Sequence, residues 1–388
     1  MARKLIEQGH SLTVVCGSNK LSDPGISGPV RRGWRSGTVD GICVRQVAMP
    51  YSNYLSVPRR AWVFLRVALK AVAFALRGDY DLFFATSTPL TAAIPGICAK
   101  LFRRKQFVFE VRDLWPEVPR QMGAIRNPIA FWALLGLEWL AYRCVDACVV
   151  LSPGIEVGIR RRSRPDLPIS MIPNVSDLEL FRPEREDSEC FLDTDDDDFV
   201  CVFAGAHGIA NGLDDVLAAA KLLHQDGIHD VKFIFVGDDK RKPELIRRAN
   251  EAGLDNCIFL DPVPREELAR KLASADVGLM ILANVEGFQY GTSPNKFFDY
   301  ISAGLPVIAN YPGWLAAQVA ERKSGLAIPP EEPGSFVDAV LELKSKPILV
   351  REMGKRAREL ARSEFSLEQL SNRFADFLEG VAAKNGVV

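Results

Sequence analysis

Histidine is scarce in this chain, with four in 388 residues, and none of its eight cysteines stands in Cys-x-x-Cys spacing. The cysteines lie mostly in apolar runs such as Val14-Val15-Cys16 and Val200-Cys201-Val202. They are expected to be small buried hydrophobes of a reduced compartment, neither disulfide framework nor metal site. No repeat of short period is present. Met1-Ala2-Arg3-Lys4 leads into a mixed segment and no apolar leader core, which predicts a cytoplasmic protein. The longest uncharged stretches are broken by Pro89 and Pro95 or by Glu138. A spanning helix needs about 20 successive apolar residues, so no transmembrane segment is expected.

What is present is ordinary in bulk and uneven in arrangement. With 48% hydrophobic and 25% charged residues the composition is globular, and the length allows two domains at about 150 residues each. The net charge of -1 hides an asymmetry. Residues 1–182 carry 25 Lys and Arg against 14 Asp and Glu, a net of +11, and the remainder nets −12. A basic half beside an acidic half suggests an anionic partner or surface for the former.

In both halves short Val-, Ile- and Phe-rich runs alternate with helical patterns, the rhythm of βαβ units and parallel sheets. Strands are predicted at 12–16, 44–47, 82–85, 107–111, 147–151 and 169–172, then at 200–205, 231–237, 257–260, 277–282 and 307–310. The acidic stretch 183–199 lacks apolar periodicity and reads as a linker. The expected organisation is an amino-terminal domain over 1–182, a second over 200–365, and a carboxyl-terminal helix over 366–388 packing back on the first. Ser366-x-x-Gln369 caps that helix, and Leu367, Leu370, Phe374, Phe377 and Leu378 follow at helical spacing. The opening is unusual: residues 2–8 read as the end of a helix leading to a strand. An initial strand, its turn and most of a helix are expected to be missing, unless the fold begins on a helix.

The strongest local signal is Gly291-Thr292-Ser293-Pro294-Asn295-Lys296-Phe297-Phe298-Asp299, running to Gly304-Leu305-Pro306-Val307-Ile308. Ser293 is read as the N-cap and Pro294 as the first helical residue, with Gly304 as terminator. Free N–H groups and the positive dipole end of such a helix suit a diphosphate. Lys296 in the first turn opposes the usual preference for acids there, which a bound anion would explain; a plain capped surface helix is the other reading. Asp299, one turn on, can accept from ribose hydroxyls. A second signal, Gly205-Ala206-His207-Gly208-Ile209-Ala210-Asn211-Gly212, directly follows a strand. Its glycines allow backbone to approach a phosphate, and His207 and Asn211 add donors, though such turns also occur without ligands.

Gly205 to Leu213, Val236-Gly237-Asp238, Phe259 to Leu268 and Ser293 to Ile308 occur in the order and spacing of retaining glycosyltransferases of family 4. Gln8 to Val14, Val111-Arg112-Asp113-Leu114-Trp115-Pro116 and Ile172-Pro173-Asn174-Val175-Ser176-Asp177 extend the resemblance over nearly the whole chain. It is most similar to the bacterial subgroup that builds O-antigen and lipopolysaccharide with aminosugars. The resemblance implies an α/β GT-B fold, with two doubly wound Rossmann-like domains facing a central cleft. It implies a UDP-sugar held by the acidic half, with the base near Val263, the diphosphate on the helix at Ser293, and the ribose on Asp299. It also implies a lipid-linked saccharide acceptor held by the basic half.

The chain departs from the pattern at Gly291, which occupies the slot of the family's first carboxylate. Glu286-Gly287-Phe288 imitates that motif five residues early, making Glu286 the candidate carboxylate for the donor sugar. The family's diphosphate-neutralising Arg and Lys are absent from their loop, so Lys296 is the expected cation, with Lys240 and Arg241 as outside candidates. No metal or other cofactor is expected, because helix dipole and lysine offset the leaving-group charge. The run Asp193-Thr194-Asp195-Asp196-Asp197-Asp198 is read as solvated charge.

Asp113, placed at the carboxyl end of a strand, is expected to orient the acceptor hydroxyl, or to serve as an ion-pair or loop-capping residue. Arg59, Arg60, Trp62, Phe64, Arg66, Leu69, Lys70, Phe74 and Arg77 suit a helix on an anionic membrane interface, placing the protein peripherally at the inner face of the plasma membrane. The stretch Phe131–Leu140 can add to that surface or, the preferred reading, be packed core; packed core with solvated arginines is the other reading of the first helix too. A nucleotide-sugar epimerase of the same fold is the alternative enzyme, disfavoured by so few histidines. A truncated homologue that binds nucleotide sugar without turnover is the other alternative. No nucleic-acid motif accompanies the basic residues.

Overall fold

A computed structural model of the chain describes all residues except 20–24, 27, 53, 184–185, 192–193, 196 and 384–388. It divides into two compact units, Met1–Pro173 with Glu368–Val388, and Asn174–Leu367. The division thus falls at Pro173, ahead of the acidic stretch. Part of that stretch packs on the second unit: Glu189 accepts from Lys271 Nζ at 2.9 Å and Phe191 is buried. Glu184, Arg185, Asp193 and Asp196 lie outside the described residues.

The first unit runs α1 (Ala2–Glu7), β1 (Thr13–Asn19), β2 (Trp34–Val39), β3 (Ile42–Tyr51), α2 (Val57–Arg77), β4 (Leu82–Thr86), α3 (Ala93–Arg103), β5 (Gln106–Val111), α4 (Glu117–Gln121), α5 (Pro128–Cys144), β6 (Ala147–Val150), α6 (Pro153–Arg160) and β7 (Ile169–Met171). Strands β4, β5, β6 and β7 form a parallel sheet in that order, and β1 and β2 flank β3 in a second. The predicted strand 44–47 lies within β3, whereas β2, and with it the hairpin, is absent from the predicted strands. Its turn, Asp40-Gly41, has both residues left-handed (φ +50° and +78°), the two-residue geometry that Asp-Gly favours.

The second unit runs β8 (Phe199–Ala204), α7 (Asp214–Gln225), β9 (Val231–Val236), α8 (Lys242–Glu251), β10 (Cys257–Leu260), α9 (Arg265–Leu272), β11 (Val277–Met280), α10 (Glu286–Gly291), α11 (Asn295–Ser302), β12 (Val307–Ala309), α12 (Trp314–Glu321), β13 (Gly325–Ala327), α13 (Pro333–Lys344) and α14 (Pro347–Glu364); α15 (Leu367–Ala383) follows. The sheet is parallel throughout, ordered β10-β9-β8-β11-β12-β13. Counted within the unit this is 3-2-1-4-5-6, the doubly wound order whose direction reverses between β8 and β11. Ligands of such sheets bind at that reversal, beyond the carboxyl ends of the strands.

Alternation along β11 builds both layers. Val277 and Leu279 enter the core with α7 and α13, and Gly278 turns to the other face, under Tyr300 of α11. A Cβ on Gly278 would lie 2.4 Å from the Tyr300 ring. Tyr300 uses its place to accept a hydrogen bond from Ala204 N–H at 2.7 Å, fastening α11 to the end of β8. Gly278→Ala is therefore expected to lower stability by about 1–3 kcal/mol through overpacking, seen as a lower urea midpoint. An unchanged midpoint would contradict this packing.

Candidate functional site

Two loops meet at the reversal of the second sheet. Residues 205–212 leave β8, and residues 281–294 leave β11. Ala283 N–H donates to Ala210 carbonyl at 2.9 Å, and Gly212, left-handed at φ +55°, leaves no room for a Cβ, which would lie 2.9 Å from Leu282 and Ala283 backbone. Gly237 (φ +147°) packs against Gly205; a Cβ there would overlap the Gly205 carbonyl. Both glycines are required by backbone approach and left-handed φ together.

Lys296 lies in the first turn of α11, behind this loop. It is 8% exposed, its Nζ donates to Asn211 Oδ1 at 2.6 Å, and it sits 3.9 Å from the centre of the Phe203 ring. Among the described residues it has no carboxylate partner within 4.0 Å. Burial lowers its pKa to about 7. Asn211 is used at both ends, since its Nδ2 donates to Ala206 carbonyl at 2.7 Å. Arg241 is committed to Asp214 and Glu244, so it is no rival cation; Lys240 is exposed.

The structure corrects two local readings. His207 does not present its ring as a loop donor. The imidazole is fully buried, with ring centroids 6.0–6.3 Å from Phe203, Phe235 and Phe259, and neither nitrogen has a hydrogen-bond partner. Burial first, then Lys242 and Lys296, lowers its pKa to about 4, so it is neutral at physiological pH. Ser293 is not the N-cap. Pro294 is, with Asn295 the first helical residue, and no side chain caps the helix. Ser293 is taken by Asn174, whose N–H donates to its Oγ at 3.3 Å and whose side-chain amide donates to its carbonyl. The first N–H groups of α11 are thereby left to a ligand or water.

Asp299, one turn further, is 6% exposed and accepts from Arg265 Nη2 at 2.8 Å. Burial raises its pKa to about 6 against the opposing pull of Arg265. Arg265 opens α9 two residues after half-buried Val263, so the loop carrying Val263 meets the Asp299 carboxylate through one residue. Gly208 leaves room for Asp239, whose Oδ2 would lie 2.7 Å from a Cβ there. Glu286 is exposed at the start of α10, and Gly291 is buried at its end. Gly205, Asn211, Gly212 and Lys296 are thus brought together, Val263 and Asp299 join through Arg265, and Glu286 stands apart.

Residues 1–175 match the family model described as glycosyl transferase 4-like domain, and residues 184–360 that of glycosyl transferases group 1. Together the two glycosyl transferase models cover most of the chain. The D-inositol 3-phosphate glycosyltransferase of Corynebacterium urealyticum is 35% identical over 111 residues, 28% of this chain and 25% of that protein. The chain spans between 25% and 52% of the first curated relatives' lengths. Sucrose-phosphate synthase from Thermosynechococcus elongatus shares the fold with a TM-score of 0.74 at 18% identity, over 98% of this chain and 92% of that one. Anabaena HepE in complex with UDP-glucose does so at 0.66 and 18% identity, over 88% and 87%.

In the first unit, Asp113 follows β5 and is half-buried. It accepts from Thr88 Oγ1 at 3.0 Å, and burial raises its pKa. Arg112 lies 3.6 Å from Glu110, and its charge partly opposes the rise at Asp113. Sequence reasoning missed Arg265, Tyr300, Asn174 and Arg358. Asn174 and Ser176 stand in the Ile172–Asp177 motif, yet nothing there tells that they hold α11, Ser176 Oγ donating to Phe298 carbonyl at 3.2 Å. Arg358 donates to the carbonyls of Leu178, Phe181 and Ser302, an anchor with no local signature.

Proposed function

We propose that this glycosyltransferase moves an N-acetylated aminosugar, with retention, from a UDP-sugar to a polyprenyl-diphosphate-linked saccharide in O-antigen or related lipopolysaccharide assembly. The observation that carries the reading is Lys296, a buried cation with no carboxylate partner among the described residues, at an uncapped helix start where a nucleotide diphosphate would neutralise it. As the bond from the sugar's C1 to the β-phosphate oxygen breaks, negative charge grows on that oxygen. Lys296 and the α11 N–H groups meet it, so no metal is required. The acceptor hydroxyl, oriented by Asp113, yields its proton to the departing phosphate and bonds C1 on the same face. Asp299 holds the ribose, backbone near Val263 the base, and Glu286 the donor sugar.

The acceptor's lipid places the work at a bilayer, and the first unit supports this. The outer face of α2 alternates Arg59, Trp62, Arg66, Leu69 and Arg77. Helix α3, which packs between α2 and α5, exposes Leu101 and Phe102, and α5 exposes Ile129, Trp132 and Trp139. The stretch Phe131–Leu140, read as packed core, therefore has an apolar outer stripe. No helix among the described residues is long and apolar enough to cross a membrane. Vesicles containing anionic phospholipid should sediment the protein at low salt. Removing Arg59, Arg66 and Arg77 together should weaken that binding roughly 100-fold at about 1 kcal/mol per charge. Equal binding to neutral vesicles would sink the interface.

Gly291, in the slot of a family carboxylate, favours a second reading, binding without turnover. Radiolabelled UDP-sugars with a polyprenyl-diphosphate saccharide separate the two. Transfer with retained configuration supports the proposal. Neither transfer nor hydrolysis, while UDP still raises Tm, establishes binding alone; an epimerised sugar without acceptor, or preference for GDP-sugars, overturns the assignment.

A further inference from the structure

Two of the four histidines lie together at the end of the second sheet opposite the nucleotide loops. Helix α7 is followed by Gly227 and α8 by Gly253, both left-handed (φ +73° and +65°), and each turn leads into a strand. Because β9 and β10 pair in parallel, with Phe233 opposite Cys257, the two helix-to-strand turns lie side by side. One turn carries His229 and the other Asp255, while the last turn of α7 adds His224.

Asp255 Oδ1 is 3.5 Å from His224 Nδ1 and 3.9 Å from His229 Nδ1, and the rings are 5.1 Å apart between centroids. One ligand atom from each residue lies within 4.8 Å of the other two. His224 Nδ1 is buried and makes no hydrogen bond. These separations exceed the 2.7–3.2 Å of direct hydrogen bonds. They approach the spacing of about 3.4 Å between two ligands on a tetrahedral ion with bonds near 2.0–2.1 Å. Two imidazoles and one carboxylate suit a borderline transition ion better than magnesium or calcium, which prefer oxygen.

We propose that His224, His229 and Asp255 form a Zn2+ site with three protein ligands and water in the fourth position. The ion ties the end of α7 to the turn before β10. It takes no part in sugar transfer, and it does not depend on which nucleotide the protein binds.

The test is calorimetric titration of Zn2+ alone into the chelator-stripped full chain, with thermal melting in parallel. One equivalent bound at about micromolar Kd or tighter is expected, with Tm raised several degrees at a hundredfold excess over Kd. His224→Ala and His229→Gln should each weaken binding at least about tenfold. Co2+ should give tetrahedral visible absorption that the double variant loses. All three side chains reach the surface, so the variants should keep the wild-type circular dichroism and UDP affinity. Cys257→Ser, two residues beyond Asp255, should bind normally. No saturable binding below about 100 µM, or equal affinity in the double variant, would overturn the site.

Discussion

Lys296→Met is expected to weaken UDP binding by at least about thirtyfold at pH 7, the order found when one member of a buried hydrogen-bonded charge pair is removed. The pH dependence is the sharper readout. With its pKa near 7 in the free protein, Lys296 is half neutral at pH 7. A bound diphosphate favours the charged form and must recruit a proton. Wild-type affinity should therefore fall by up to about tenfold per pH unit above 7, where the phosphate itself no longer titrates, and Lys296→Met should remove that slope. Stability moves oppositely. Between pH 7 and about 10 the unfolded chain holds this proton and the folded chain does not, so rising pH favours folding through this group. From pH 7 to 9 the wild type should gain up to about 2.5 kcal/mol on the variant in urea unfolding. Parallel pH curves for both proteins, in binding and unfolding, would show that Lys296 does not face the diphosphate from a dry site.

Asp299→Asn is expected to cost roughly tenfold to a hundredfold in UDP affinity while leaving inorganic diphosphate binding unchanged, because a charged hydrogen bond to ribose is worth about 1.5–3 kcal/mol. Wild type should bind UDP better than its 2′- and 3′-deoxy analogues, and the variant should lose that preference for at least one. The titration sign differs from that of Lys296. The folded-state pKa of Asp299, about 6, exceeds its unfolded value, so the folded chain holds the extra proton between about pH 4 and 6. Stability from this group is present below pH 4 and is lost as pH rises through 6, by about 3 kcal/mol at most. The asparagine variant should lack that decline. An unaltered deoxy-analogue preference would move the ribose away from α11 and its Arg265 partner.

The sequence by itself determined the class of fold, because strand and helix periods are local. The runs at 231–237 and 257–260 needed no tertiary information. Ser293 to Gly304 announced a helix between strands because Pro and Gly punctuate it, although the cap lay one residue from its expected place. The β2–β3 hairpin was not read, although Asp40-Gly41 carries its turn signal. Tertiary structure alone decided what those elements do to each other. His207, polar and in a glycine loop, reads as a donor until three phenylalanines from separate strands enclose it. Lys296 stands out in the sequence as a first-turn cation suited to a bound anion, but only the packing of α11 beside β8 buries it with no carboxylate partner among the described residues. The reversal between β8 and β11, the clasp of Asn174 on Ser293, and the meeting of His224 with Asp255 join residues distant in sequence. Their pairing is set by strand order and burial, which composition and spacing do not encode.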